Sequence, residues 1–163
     1  MRFHLVDRVL ELVPGKKIRM VKNLTMAEEY LADHFPRFPV MPGVLMLQTL
    51  VESAAWLLRT SEDYRHSVIV LREVKNVKYG NFMEPGKCLV TTVEPAEPAT
   101  SLAAAVTFKG KGEMDGQSAV TARFSVTRYN LRDRKPELAA IDEQIVNRLR
   151  QHWLILSGEL QGA

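Results

Sequence analysis

The sequence predicts an α+β fold in which one antiparallel sheet wraps around a single long buried helix. Two observations predict it. From Gly43 to Arg59, Val44, Leu45, Leu47, Leu50, Val51, Ala54, Ala55, Leu57 and Leu58 cover nearly every helical face. A helix apolar all round belongs in a core. From Ser67 to Asn130 the pattern changes to apolar runs separated by turn residues, which is a series of strands. A lone helix of this kind needs a sheet to cover it. The 163 residues suffice for one domain with a core and are too few for two ordinary ones. With 46% hydrophobic and 25% charged residues, the composition is that of a globular chain.

The elements follow in order. Pro14-Gly15 marks a turn, and Lys16 to Thr25 alternates as a strand, with Ile18, Met20, Val21 and Leu24 as its apolar residues. Met26 to Asp33 has room for one helical turn. Pro36, Pro39 and Pro42 forbid a helix between His34 and Gly43 and hold that segment extended. Pro42 suits the first turn of the helix that follows, because its missing N–H would have no partner there. That helix is about 26 Å long at the usual rise per residue. Strands are expected over Ser67 to Val77, Lys87 to Glu94 and Ser101 to Lys109, with Pro95 to Pro98 as a break. Tyr79 to Met83 leads to the turn Glu84-Pro85-Gly86. Gly110 to Gly116 reads as a hairpin loop. Val120, Ala122, Phe124 and Val126 then alternate with Thr121, Arg123, Ser125 and Thr127, which is a half-buried strand. Pro136 opens an amphipathic helix with Leu138, Ile141, Ile145 and Leu149 on one face. The chain thus divides into a domain of residues 1–130 and a helical extension of residues 131–163.

Several functions are disfavoured. The net charge is +3, with no basic run and no aromatics interleaved with basic residues, so no nucleic-acid partner is expected. The apolar stretch from Val40 to Leu58 is broken by Pro42, Gly43, Gln48 and Glu52, so no membrane span is expected. Charges at Arg2, Asp7 and Arg8 interrupt any export signal, and a cytoplasmic protein is expected. Cys88 is the sole cysteine and has no internal disulfide partner, which fits a reducing compartment. It reads as a small buried residue at the start of a strand.

Chemistry is expected where the pattern breaks. Gln48 and Glu52 lie four apart in the core helix, on one face, and buried polar side chains need partners. His34 precedes the proline-rich segment that ends at the same helix. The N–H groups of Gly43 and Val44 lack intrahelical acceptors and lie at the positive end of the helix dipole. An imidazole, a polar pair and unpaired N–H groups are the parts needed to remove a proton beside a carbonyl. A structural histidine and a glycine chosen for close packing are the plainer readings of the same residues.

His34-Phe35-Pro36 and Pro39-Val40-Met41-Pro42-Gly43-Val44-Leu45 resemble the signature of bacterial 3-hydroxyacyl-[acyl-carrier-protein] dehydratases. Leu5 to Val9, Gly15-Lys16, Val21-Lys22-Asn23 and Val77 to Gly86 extend the resemblance over roughly residues 5 to 128. The resemblance implies a hot-dog fold and an acyl thioester carried on a phosphopantetheine arm, from acyl carrier protein or coenzyme A. It implies no further cofactor and no metal. It also implies a homodimer or a trimer of dimers, with histidine from one subunit and an acidic helix residue from the other. His34 would be the base, Gly43 and Val44 the thioester-oxygen site, and Phe35 and Pro42 would lie beside the substrate.

The chain departs from that family at the acid. The family's carboxylic acid falls at position 48, which here is Gln48, and its glutamine falls at position 52, which here is Glu52. The pair is exchanged, and a primary amide is no useful proton donor. Three explanations stand. Glu52 supplies the proton, with Gln48 orienting it; the site binds acyl groups without catalysis; or Gln48 positions water for thioester hydrolysis. The first is carried forward as the expectation. Arg37-Phe38 also replaces smaller residues, and the helix after Pro136 passes the family's usual end.

Overall fold

A computed structural model describes residues 4–97 and 105–159. The elements are β1 (Arg8–Val13), β2 (Lys17–Asn23), a 3-10 turn at Glu29–Ala32, α1 (Gly43–Ser61), β3 (Val68–Tyr79), β4 (Cys88–Pro95), β5 (Ala105–Met114), β6 (Gln117–Tyr129) and α2 (Ala139–Ser157). The strands form one six-stranded sheet in the order β1-β2-β4-β5-β6-β3, with every neighbouring pair antiparallel. The sheet curls around α1, as a hot-dog fold requires, and the α+β expectation holds.

α1 is buried because its sequence leaves it no polar face. Met46, Leu47, Leu50, Val51, Ala54, Trp56, Leu57 and Leu58 all lie in the core. Its small polar residues are satisfied internally. The Thr49 hydroxyl donates to the Met46 carbonyl at 2.6 Å. The Ser53 hydroxyl donates to the Thr49 carbonyl at 2.8 Å and lies 2.9 Å from the Thr91 hydroxyl on β4.

Four expectations need correction. First, Gly110 to Met114 is strand rather than loop. A Cβ on Gly110 would lie 3.1 Å from Leu50 Cδ1, and one on Gly112 would lie 2.8 Å from Val120 Cγ1. These glycines let the helix and a neighbouring strand pack closely on β5, which a turn-based reading mistakes for flexibility. The turn itself is Asp115-Gly116, with φ of 50° and 77°, the two-residue geometry that suits a hairpin. Ser101 to Ala104, the first part of the expected strand, lies outside the described residues.

Second, β1 was not anticipated. Its residues pair with β2 across the turn at Pro14-Gly15, where Gly15 has φ 69°. Third, α2 turns a different face inward. Ile141 is exposed, and the inner face runs through Asp142, Val146, Leu149, Trp153 and Leu156. Buried Asp142 sets this phase. It accepts hydrogen bonds from the Ser67 hydroxyl and from the N–H groups of Leu131 and Arg132, the last two at 2.9 and 3.0 Å. A hydrophobic periodicity cannot register a carboxylate that caps a turn. Fourth, Cys88 is exposed, because at the first position of β4 its side chain points to the outer face, opposite buried Leu89.

β3 occupies one edge of the sheet. It pairs with β6 on one side only, and Val70, Leu71, Val77 and Tyr79 are exposed along it. Among the described residues, no helix is long and apolar enough to cross a membrane.

Candidate active site

The 3-10 turn at Glu29–Ala32 delivers the chain to His34, whose N–H donates to the Tyr30 carbonyl at 3.0 Å. The segment that follows is not simply extended. Phe35 and Phe38 exchange backbone hydrogen bonds at 3.2 and 3.0 Å and close a tight turn between them. Pro36 at the first turn position favours this, since its fixed φ suits a turn as well as it suits an extended chain. The His34–Phe35 peptide bond is cis, and the two rings stack at 4.1 Å.

His34 is fixed from both ends. Its carbonyl accepts the Val40 N–H at 3.0 Å, and its Nδ1 lies 2.9 Å from the Val40 carbonyl. A carbonyl oxygen can only accept, so Nδ1 carries the proton. In the neutral ring the lone pair is therefore on Nε2. The chain then turns into α1 through Met41, whose N–H donates to the Met83 carbonyl at 2.8 Å and ties the loop to the segment between β3 and β4.

Pro42 is the N-cap of α1, with φ −53° and ψ 134°. Its carbonyl accepts the N–H groups of Leu45 and Met46 at 2.9 and 3.3 Å. The N–H groups of Gly43 and Val44 meet no backbone acceptor among the described residues. Gly43 packs closely on Tyr79, because a Cβ there would lie 3.1 to 3.3 Å from its ring atoms.

These parts share one cleft of about 460 Å³, lined by His34, Phe35, Gly43, Val44, Tyr79 and Phe82 among others. Phe38 meets Phe82 edge-on at 5.6 Å and adds an aromatic rim. The lining is mostly apolar, and no carboxylate of the described residues contributes to it. His34, Phe35, Gly43 and Val44 are thus brought together as expected, with Pro42 immediately behind.

The exchanged pair is not brought to that cleft within one chain. Gln48 lies one turn beyond Val44 on the same face, half-buried, and makes no hydrogen bond with another described residue. Glu52 faces the N-terminal segment instead. Its Oε2 accepts the N–H groups of Leu5 and Val6 at 2.8 and 3.3 Å, and its Oε1 lies 3.6 Å from His4 Nδ1. Burial pushes its carboxyl above the usual range, against those two hydrogen bonds and the nearby His4. The sequence could not foresee this, because the donors come from residues far away in the chain.

Tyr79 is the site residue that sequence reading did not single out. It closes β3, opposite Val120. Only the folding of β3 against the start of α1 places its ring on Gly43. The one signal available was an aromatic residue set before Gly80 in a segment similar to the dehydratases. Among the described residues no three His, Cys, Asp or Glu side chains are grouped to hold a metal.

A family model described as a FabA-like domain matches residues 1–123. A Wolbachia pipientis wMel protein named 3-hydroxyacyl-[acyl-carrier-protein] dehydratase FabZ is 40% identical over 88 residues, covering 54% of this chain and 62% of that protein. The protein of the same name from Ruminiclostridium cellulolyticum is 36% identical over 128 residues, covering 77% of this chain and 88% of its own. Among solved structures, the dehydratase heterocomplex ApeI:P from Xenorhabdus doucetiae is similar in fold. Its TM-score is 0.63 at 14% identity, over 84% of this chain and 88% of that one.

Proposed function

The chain belongs to the FabA-like domain family, and from that premise we propose that it removes water from 3-hydroxyacyl thioesters to give trans-2-enoyl thioesters in acyl-chain synthesis. The observation that carries this reading is the fixed His34. Its Nδ1–H is committed to Val40, which leaves Nε2 as a base lining the same cleft as the unpaired N–H groups of Gly43 and Val44.

The chemistry follows from that arrangement. The thioester oxygen accepts from the Gly43 and Val44 N–H groups, which stabilise the charge that develops on it. Nε2 takes the proton at C2. The C2 electron pair becomes the C2–C3 double bond, and the hydroxyl at C3 leaves as water once it is protonated. Phe35 and Pro42 flank the substrate. Gln48, with its uncommitted amide, orients substrate or water but supplies no proton. Glu52 serves the N-terminal segment. No metal or redox group is required, and the acyl group arrives on a phosphopantetheine arm. Acyl carrier protein is the carrier that the relatives' names suggest, with coenzyme A as the alternative.

We also assign a homodimer through the free edge of β3. A strand of 12 residues with unpaired backbone groups and exposed Val70, Leu71 and Val77 is a template for a second copy. A trimer of such dimers is the larger assembly expected. Residues 1–130 form the hot-dog domain, residues 131–163 the extension, and the cytoplasm is the compartment.

The test follows the absorbance of a short trans-2-enoyl thioester as purified protein hydrates it, beside a His34→Ala control. Loss of absorbance that disappears with the control is the expected result. No change in absorbance, or release of free thiol, would overturn the reading.

A further inference from the structure

The proposed elimination needs a proton for the departing hydroxyl, and neither candidate acid reaches it. Gln48 is an amide, and the Glu52 carboxylate is occupied by Leu5, Val6 and His4. Among the described residues lining the cleft, one side chain carries an acidic O–H, and that is Tyr79. We propose that Tyr79 is the catalytic acid, delivering its phenolic proton to the leaving hydroxyl while His34 takes the proton at C2. This inference rests on the dehydratase reading and deepens it.

Three observations support the assignment. The Tyr79 ring lies against Gly43, where its Cε1, Cδ1 and Cζ atoms would crowd an added Cβ at 3.1 to 3.3 Å. The ring is therefore held against Gly43, and it lines the same cleft as the two residues whose N–H groups receive the thioester oxygen. Its hydroxyl has no hydrogen-bond partner among the described residues, so it is available to a substrate. Burial also pushes the phenol above its ordinary value, which keeps it protonated at neutral pH. Asn81, the other polar neighbour, is an amide whose nitrogen donates to Gln117 and to the Ser118 carbonyl. His34 is the only other titratable group lining the cleft.

The step balances. The C2–H bond breaks, and its proton passes to His34 Nε2. The electron pair forms the C2–C3 bond, and the C3–O bond breaks toward oxygen. The Tyr79 O–H proton joins that oxygen, and water leaves. Imidazolium and phenolate remain, and solvent returns the proton from one to the other.

The experiment compares wild type, Tyr79→Phe and His34→Ala in dehydration of a 3-hydroxyacyl coenzyme A thioester from acid to alkaline pH. Phenylalanine keeps the ring packed on Gly43 and removes only the O–H. The expected result is a fall in kcat on the order of 100-fold. KM should stay within about twofold, as for a group that acts only in the transition state, and the alkaline limb of the pH profile should disappear. Incorporation of 3-fluorotyrosine at position 79 should move that limb to lower pH, and this arm decides the matter if Tyr79→Phe does not fold. A kcat within about threefold of wild type with the alkaline limb in place, or a limb that fluorination does not move, would overturn Tyr79 as the acid and leave the dehydratase reading standing. A wild-type rate no higher than that of His34→Ala would overturn both.

Discussion

His34 and Val40 are joined twice, once from ring to carbonyl at 2.9 Å and once from N–H to carbonyl at 3.0 Å. The first bond selects the tautomer and the second fixes the distance over which it acts. His34→Ala should therefore cost activity on the order of 100-fold to 10,000-fold while leaving the core untouched. His34→Gln can keep the bond to the Val40 carbonyl through its amide but has no basic nitrogen, so it should be as inactive as the alanine. Enoyl hydration rates measured beside thermal unfolding separate the two effects.

Glu52→Gln should retain activity within about twofold of wild type, because the carboxylate acts on Leu5 and Val6 and not on substrate. Unchanged turnover would remove Glu52 from consideration as the acid. A large loss with an intact fold would return it.

The same substitution should flatten the dependence of stability on pH. Burial raises the Glu52 carboxyl above its ordinary value of 4.5, so the folded state keeps this proton to higher pH than the unfolded chain does. Between the two values the folded state binds more protons, and stability falls as pH rises. Glutamine offers Leu5 and Val6 an oxygen without a charge to bury. Denaturant midpoints on either side of that window should fall with pH in wild type and fall less in Glu52→Gln.

Gly80→Ala should destabilise the fold. An added Cβ would lie 2.5 Å from the Ser118 carbonyl oxygen, a backbone atom of β6 where it pairs with β5, and overpacking of this kind costs about 1–3 kcal/mol. The midpoint of thermal unfolding should drop by roughly 2–12 °C for a chain of this size. An unchanged midpoint would mean that the strand end yields.

Asp142→Ala should loosen α2. Burial raises the Asp142 carboxyl, but the Ser67 hydroxyl and the N–H groups of Arg132 and Leu131 outweigh it and hold it below its ordinary value. Its contribution is therefore present above the unfolded value and lost as pH falls through the folded one. Hydrogen exchange along α2 should accelerate in the variant at neutral pH. In wild type the protection of α2, relative to the intrinsic exchange rate at each pH, should fall only under acid conditions.

What the sequence disclosed depended on whether the signal was local. α1 was legible because its apolar residues leave no polar face, and β6 because Val120 to Thr127 alternate without interruption. The grouping of His34 with Gly43 and Val44 in one cleft was legible because these residues lie close in the chain, and the proline spacing is similar to a known family. β5 was misread because Gly110 and Gly112 serve close packing, which no turn rule distinguishes from bending. The phase of α2 hung on one buried carboxylate, whose donors lie on other elements. Glu52 was assigned by its chain neighbours, and Tyr79 was not singled out at all. Their surroundings are set by Leu5, Val6 and Gly43, which only folding brings near.

The bond from Leu5 to Glu52 gives the start of the chain a weight out of proportion to its length. Leu5 and Val6 are buried, and cleavage after Val6 would take away both donors and leave a carboxylate in an apolar recess. Water would have to enter the recess, or the carboxyl would have to take up a proton, beside the tilted rings of Trp56 and His152. Proteolytic nicking at this end would therefore act as damage to the core, and the intact mass of a preparation is a direct indicator of whether its helix is still sealed.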